Sequence, residues 1–137
     1  MINSRKITDL TPETQAKYWK FSEEMAKAHI PYMVTSTFRD QEAQDALWNQ
    51  GRKGRTAQDK IVTWTRRSRH TQRDAFDIAL LLSGEPVWSP KVDIDNDHIP
   101  DYLEAGQIGE SCGLVWGGRF KDGKGRPRPD SAHFQNT

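Results

Sequence analysis

Apolar side chains recur at helical spacing near the start of the chain. Phe21, Met25 and Ala28 fall on one face of a segment that follows Thr11. Threonine is a favoured N-cap, and the proline after it suits the first position of a helix. The pattern therefore predicts a helix over residues 12–29 with a buried apolar stripe.

Two shorter helices are predicted further along the chain. One begins near Asp40 and ends before Gly51. Its predicted inward-facing residues are Ala43, Ala46 and Leu47. The other follows an acidic stretch, residues 93–104, and ends near Gly113.

Runs of strand-forming residues separate these helices. The predicted strands are residues 32–37, 75–82, 114–116 and 132–135, and a tight turn at Gly117 and Gly118 follows the third. Residues 51–71 are rich in Arg and Lys, so we expect a long loop there with a short strand at 61–64. Because helices and strands do not alternate regularly, the pattern favours an α+β fold.

Composition narrows the classes of function. The chain has 137 residues, which is typical of one domain, and a net charge of +1, which gives no sign of nucleic-acid binding. No apolar run reaches the ~18 residues of a membrane span, and the first residues lack the apolar core of a signal peptide. The lone Cys112 excludes an internal disulfide and metal sites built on cysteine pairs. We therefore expect synthesis in the cytoplasm and no membrane insertion.

Two of the four histidines, His70 and His133, have carboxylates close by in the sequence. A catalytic zinc needs three nitrogen or oxygen ligands and an open position for water. His70, Asp77 and His133 supply that number and type, and Asp130 is placed to act as a base. On spacing alone, this zinc hypothesis stands beside the alternative that these residues are solvated parts of loops.

The segment around His70 resembles the signature of a known family. The motif is Ser-x-His-x-x-Gly-x-Ala-x-Asp, and residues 68–77 match it with His70 and Asp77 at its His and Asp positions. It belongs to the M15 zinc peptidases, which cut D-amino-acid bonds in peptidoglycan. They include D-Ala-D-Ala carboxypeptidases, D-Ala-D-Ala dipeptidases and phage L-alanyl-D-glutamate endopeptidases.

Three further segments resemble the family's motifs in the family's order. Arg39 ends a Ser-Thr-Phe-Arg segment similar to the Ser-x-x-Arg strand end, and Gln44 lies in the helix after it. Residues 113–118, Gly-Leu-Val-Trp-Gly-Gly, resemble a turn common in the short members. Asp130 and His133 match the closing Asp/Glu-x-x-His motif.

The resemblance implies a fold, a cofactor and residue roles. The fold would be one small hedgehog/DD-peptidase-like domain, residues 1–137, with helices packed on an antiparallel sheet. The implied zinc ligands are His70, Asp77 and His133, with Asp130 as the general base. The implied substrate-binding residues are Ser68, Arg39 and Gln44, and Arg39 would also stabilise the developing oxyanion.

The resemblance also implies a function. It is closest to a short phage endolysin, a monomer that cuts L-alanyl-D-glutamate bonds of bacterial peptidoglycan. Such a protein would be made in the host cytoplasm without a signal peptide and would act in the cell wall after release. The alternatives are a D-Ala-D-Ala carboxypeptidase or dipeptidase and, from another class, a non-catalytic metal-binding module.

Two features of the loop before Asp77 stay open at this stage. The signature has glycine where this chain has Arg73, and arginine at a positive φ would be strained. We therefore expect the loop to take a different path or Arg73 to face the cleft. The basic segments 52–55 and 66–69 are either solvated surface or an attractor for the anionic stem peptide, and Trp64 is expected near the site.

Residues 93–104 have the ligand spacing of a calcium loop. Positions 1, 3, 5, 9 and 12 are acidic, and these are Asp93, Asp95, Asp97, Asp101 and Glu104, with the carbonyl of Ile99 at position 7. Position 6 is His98 rather than glycine, although histidine tolerates a left-handed backbone better than most residues. Calcium is thus predicted as a second cofactor, and the alternative is an acidic surface loop at a helix start.

Overall fold

The structure, a computed structural model, describes residues 1–52, 63 and 67–137. Within these residues the helices are α1 (Pro12–Lys27), α2 (Gln41–Asn49) and α3 (Asp101–Ser111). The strands are β1 (Tyr32–Ser36), β2 (Ala75–Leu82), β3 (Glu85–Val87), β4 (Leu114–Trp116) and β5 (His133–Asn136). All strands join one antiparallel sheet, which confirms the predicted α+β class.

Side-chain caps set the starts of the first two helices where the sequence predicts them. The Thr11 hydroxyl accepts a hydrogen bond from the amide of Thr14 at 3.3 Å and so caps α1. The Asp40 carboxylate caps α2 by accepting from the amide of Ala43 at 2.9 Å. Helix α1 is slightly shorter than predicted because His29 has a φ of +58°, which a helix does not allow.

The inward face of α2 differs from the prediction. Ala43 is buried as expected, whereas Ala46 is exposed and Leu47 is only half-buried. Gln44 takes the buried position instead, because its amide oxygen accepts a hydrogen bond from the buried guanidinium of Arg39. A polar residue therefore replaces an apolar one at the inner surface of this helix.

The sheet places β2 at its centre. Strand β1 lies along one edge of β2, while β5 and the short β3 share the other edge, and β4 lies outside β5. In this register Asp77 lies opposite Ser36 on one side and opposite His133 on the other. Strand β3 was not predicted, since its proline is typical of a sheet edge rather than of a strand interior.

The core lies between one face of the sheet and helices α1 and α3. Phe76 of β2 and Phe134 of β5 stack with ring centroids 5.4 Å apart, and Phe21 of α1 packs 4.9 Å from Phe134. Successive strand residues point to opposite faces, so Asp77 and His133 project away from this aromatic core. The functional face of the sheet is thus the one that α1 and α3 leave open.

Some predictions fall outside the described residues. These are the short strand at 61–64 apart from Thr63, the site neighbour Trp64, residues 53–55 of the first basic segment and residue 66 of the second. Across the described part of the chain, no helix combines the length and the hydropathy needed to cross a membrane.

Candidate metal centre and active-site cleft

His70 is held in a fixed orientation by its own short turn. The 3-10 turn Arg69–Gln72 begins after Ser68, whose hydroxyl accepts a hydrogen bond from the amide of His70 at 3.1 Å. Nδ1 of the His70 ring lies 2.7 Å from the carbonyl oxygen of Thr37 and donates to it. Nε2 of His70 then carries the lone pair, and this buried atom has no hydrogen-bond partner among the described residues.

The three ligands that the sequence predicts meet around one carboxylate oxygen. Oδ1 of Asp77 lies 3.2 Å from Nε2 of His70 and 3.0 Å from Nδ1 of His133. Tetrahedral zinc ligands lie roughly 3.4 Å apart for bonds of about 2.1 Å, which is close to this spacing. In a buried site, a ring lone pair and a carboxylate that face each other repel unless a cation lies between the two groups. These residues therefore fit zinc.

The charges in this cluster support one another. Burial alone raises the pKa of Asp77, but the neighbouring imidazoles of His70 and His133 outweigh it and hold that pKa below its ordinary value. Burial lowers the pKa of His133, but the adjacent carboxylate of Asp77 raises it by more, so the pKa of His133 lies above its ordinary value. The cluster therefore keeps Asp77 as an anion, the state that a metal ligand requires.

Arg39 lies beside the cluster and is held by two buried partners. Its Nη1 donates to Oε1 of Gln44 at 2.8 Å, and its Nη2 donates to the hydroxyl of Ser36 at 3.2 Å. Nη2 is also 3.9 Å from Oδ2 of Asp77. Gln44 is fully buried and orients Arg39, and its predicted contact with substrate stays a prediction.

Ser68 and Asp130 occupy different positions relative to the cleft. Ser68 is almost fully buried, and its hydroxyl accepts from His70, so its structural contact is with a ligand residue. Asp130 is exposed in the cleft, and its backbone is fixed by hydrogen bonds to Gly117 and from His133. Desolvation and then the charge of Asp77 raise the pKa of Asp130, as suits a proton acceptor near neutral pH.

An open cleft of about 900 Å³ contains this cluster. One wall is the segment 120–130, in which Asp122 accepts from the amides of Lys124 and Arg126 at 2.9 and 3.0 Å. The cations that line the cleft are Arg39, Arg67, Arg69, Lys121 and Arg128. The cleft thus offers a metal position, a base and positive charge together.

Comparison with known proteins agrees with this geometry. A family model for D-alanyl-D-alanine carboxypeptidase matches residues 62–136, and the VanY model, with the same description, matches residues 7–86. The chain is 33% identical over 121 residues to the peptidoglycan L-alanyl-D-glutamate endopeptidase CwlK of Bacillus subtilis (strain 168), covering 84% of this chain and 71% of CwlK. The chain belongs to the M15 family of zinc peptidases.

Solved structures share the fold of this M15 peptidase. The Serratia marcescens L-Ala D-Glu endopeptidase ChiX superimposes with a TM-score of 0.67 at 19% identity, over 96% of this chain and 83% of ChiX. The vancomycin resistance D,D-pentapeptidase VanY, in complex with Zn(II), gives a TM-score of 0.59 at 12% identity, over 93% of this chain and 72% of VanY. The predicted hedgehog/DD-peptidase-like architecture is therefore confirmed.

Arg73 of this M15 peptidase behaves differently from both expectations. It has a φ of +62°, so the loop keeps the left-handed conformation that glycine would adopt. Its guanidinium stacks 3.8 Å from the ring centroid of Phe38 and donates to the carbonyl oxygen of Asp9 at 3.0 Å. These contacts hold the side chain on the surface near the N-terminus, outside the cleft, and stabilise a strained residue.

The acidic loop gathers four of the five carboxylates that the sequence predicts as calcium ligands. Carboxylate oxygens of Asp93, Asp95, Asp97 and Asp101 lie within 4.8 Å of one another. Asp101 is only 1% exposed, and burial, followed by the charges of Asp93 and Asp97, raises its pKa. His98 has a φ of +68°, the left-handed conformation expected at position 6. The side chain of Ile99 is exposed.

Gln135 is a cleft residue that sequence reasoning missed. Gln135 lies in β5 two residues after His133, and its amide oxygen is 2.9 Å from Nε2 of that ring. The alternation of a strand places residues i and i+2 on one face, and this signal was available in the sequence. The signal gained weight only once the structure showed strand β5 and the position of His133 beside Asp77.

Proposed function

We propose that this M15 peptidase, which is of the peptidoglycan-cleaving type, hydrolyses the L-alanyl-D-glutamate bond of the stem peptide. The observation that carries the proposal is the meeting of His70, Asp77 and His133 beside Asp130 in an open cleft. The identity to the endopeptidase CwlK supports the choice of bond.

The chain's own residues divide the work of hydrolysis. His70, Asp77 and His133 would hold zinc, which lowers the pKa of a bound water to about 7 and polarises a carbonyl. Asp130 takes a proton from the attacking water, whose oxygen bonds to the carbonyl carbon. As the carbon–nitrogen bond breaks, Asp130 gives the proton to the leaving amine of D-glutamate.

Arg39 contributes a fixed positive charge. An arginine guanidinium stays charged in proteins, and the hydrogen bonds of Arg39 to Gln44 and Ser36 hold it beside Asp77. A preorganised cation at this position stabilises the negative charge that develops on the carbonyl oxygen. The cations on the cleft wall, among them Lys121 and Arg128, complement the carboxylates of the stem peptide.

A D-Ala-D-Ala carboxypeptidase is the second candidate. Both family models carry that description, and the metal cluster suits either reaction. A non-catalytic metal-binding module is less well supported, because it has no need of Asp130, which lies exposed in the cleft beside the ligands. The L-alanyl-D-glutamate reaction is favoured by the 33% identity to the endopeptidase CwlK.

The biological role that we propose is lysis of a bacterial wall by a phage endolysin. The turn Gly-Leu-Val-Trp-Gly-Gly, residues 113–118, resembles the short members of the family and supports this role. In this proposal residues 1–137 act as one monomeric zinc peptidase domain. The protein is made in the host cytoplasm and reaches the peptidoglycan after release.

Digestion of purified peptidoglycan with mass analysis of the products tests the reaction. The proposal expects stem peptides with a new amino-terminal D-glutamate and glycan chains on which each cut stem is shortened to L-alanine. Release of free D-alanine would instead identify the carboxypeptidase. The matched control is Asp130→Asn, which keeps the size of the side chain, and unchanged activity in this variant would contradict the mechanism.

We also propose that the acidic loop, residues 93–104, binds calcium. Three buried carboxylate oxygens have no hydrogen-bond partner among the described residues: Oδ1 of Asp93, Oδ1 of Asp101 and Oε2 of Glu104. Unpaired buried carboxylate oxygens are costly unless a cation neutralises them. Ca²⁺ prefers oxygen ligands, so this oxygen-rich ligand set suits calcium better than it suits zinc.

The loop backbone is already shaped around these carboxylates. The amide of His98 donates to Asp93 at 2.9 Å, and the amide of Ile99 donates to Asp97 at 2.8 Å.

Calorimetric titration with calcium tests the site in the zinc-loaded protein. We expect binding in the wild type and none in the variant Asp95→Ala/Glu104→Gln, and the absence of binding heat in the wild type would reject the site.

A further inference from the structure

We infer that Gln135 is a positioning residue that fixes which ring nitrogen of His133 faces the metal. The inference rests on the proposed ligand set of His70, Asp77 and His133. Gln135 and His133 project from the same face of β5, toward the cleft. Oε1 of Gln135 lies 2.9 Å from Nε2 of His133.

This contact determines the tautomer of the His133 ring. An amide oxygen only accepts hydrogen bonds, so Nε2 of His133 must carry the proton that Gln135 receives. In a neutral imidazole the other nitrogen, Nδ1, then has the lone pair. Nδ1 is the atom that lies 3.0 Å from Asp77, so Gln135 turns the lone pair of His133 toward the metal position.

The other histidine ligand shows the same arrangement with the two nitrogens exchanged. The carbonyl oxygen of Thr37 accepts from Nδ1 of His70, which leaves Nε2 to face Asp77. Each ligand ring is therefore oriented by a neutral carbonyl on its far side. Such partners fix the tautomer and the ring angle of metal-binding histidines, and their loss weakens metal binding.

Gln135 is well placed for this task because its backbone is paired on both sides. It lies opposite Ala75 of β2 and Val115 of β4, so strand β5 holds it firmly. A neutral amide also orients His133 without adding another negative charge beside Asp77 and Asp130. We therefore expect the amide oxygen, rather than the bulk of the side chain, to be the feature that matters.

The zinc affinity of the full-length protein, measured by competition with a chromophoric chelator, tests the inference. We expect Gln135→Leu, which removes the acceptor at similar size, to bind zinc ~10–100-fold more weakly. Gln135→Lys offers only donors and should bind at least as weakly, whereas Gln135→Glu retains an acceptor and should restore tight binding. The matched control is Gln107→Leu, an exposed position on α3, where affinity should not change.

Two further measurements separate this inference from the ligand assignment. If His133→Ala keeps full zinc affinity, the proposed ligand set is wrong. If His133→Ala loses zinc while Gln135→Leu binds like the wild type, only the role of Gln135 is rejected. Long-range ¹H–¹⁵N spectra of the zinc-loaded protein should show the His133 proton on Nε2, and a proton on Nδ1 would overturn the inference.

Discussion

The amide of Asp130 donates a hydrogen bond to the carbonyl oxygen of Gly117 at 2.8 Å. This bond ties the proposed base to the turn that follows β4. A Cβ atom on Gly117 would lie 2.5 Å from the carbonyl oxygen of Asp130 and 3.0 Å from Cβ of His133. The absence of a side chain at Gly117 therefore allows the proposed base, Asp130, and the proposed metal ligand, His133, to pack against this turn.

Gly117→Ala should reduce turnover without unfolding the protein. The added methyl group must push the segment of Asp130 and His133 outward, and small misplacements of catalytic groups cost up to ~10²-fold in rate. Peptidoglycan hydrolysis reports the displacement of Asp130, and zinc content reports that of His133. Gln107→Ala, at an exposed position on α3, is the control, and equal activity of the two variants would contradict this account.

His133→Ala should abolish zinc binding and activity while the fold survives. The ring lies on the sheet face opposite the core of Phe21, Phe76 and Phe134, so its removal leaves that packing intact. Metal analysis and thermal unfolding of the metal-free proteins check this prediction. A large loss of stability in the metal-free variant would show that His133 also supports the core.

Asp130→Asn should keep zinc and lose at least ~10²-fold in kcat, the lower range for a general base. The substitution preserves size but removes the proton acceptor. Zinc stoichiometry measured on the same samples distinguishes the roles. If zinc content falls in proportion to activity, Asp130 is a metal ligand rather than the base.

Arg73→Ala should be less stable than Arg73→Gly. Alanine keeps the left-handed strain, which costs ~1–2 kcal/mol, and it loses the contacts of arginine with Phe38 and Asp9. Glycine loses the same contacts but relieves the strain. Urea unfolding of the three proteins ranks them, and an alanine variant at least as stable as the glycine variant would argue against strain at this position.

Calcium should raise the activity of the wild type at constant zinc. Asp101 begins α3, Gly106 of that helix packs against the indole of Trp116, and Trp116 donates to the carbonyl oxygen of Ser131 at 2.9 Å. Ordering the loop therefore supports the segment next to Asp130. Calcium binding can raise the activity only if calcium binds more tightly to the active arrangement of the protein than to the inactive one.

The check is activity against calcium concentration in the wild type and in Asp95→Ala/Glu104→Gln. We expect a rise in the wild type and a flat response in the variant. A flat response in both proteins would remove the regulatory role, even if calcium binds.

Much of the secondary structure follows from local signals in the sequence. The N-caps Thr11 and Asp40, and the apolar run of β2, act over a few residues, so the sequence predicts them closely. The side chain of Ala46 was misassigned because helical spacing does not reveal that a buried guanidinium recruits Gln44. Arg73 was misjudged because its compensating partner Phe38 is distant in the sequence.

The sequence by itself determined the chemical types of the site: two imidazoles, two carboxylates and an arginine in the order of a known motif. Only the tertiary structure decided which atoms meet. The register of β2 against β5 sets Asp77 opposite His133, and the turn after Ser68 brings His70 to the same oxygen. These distances depend on strand pairing and packing between residues far apart in the chain, which no local pattern encodes.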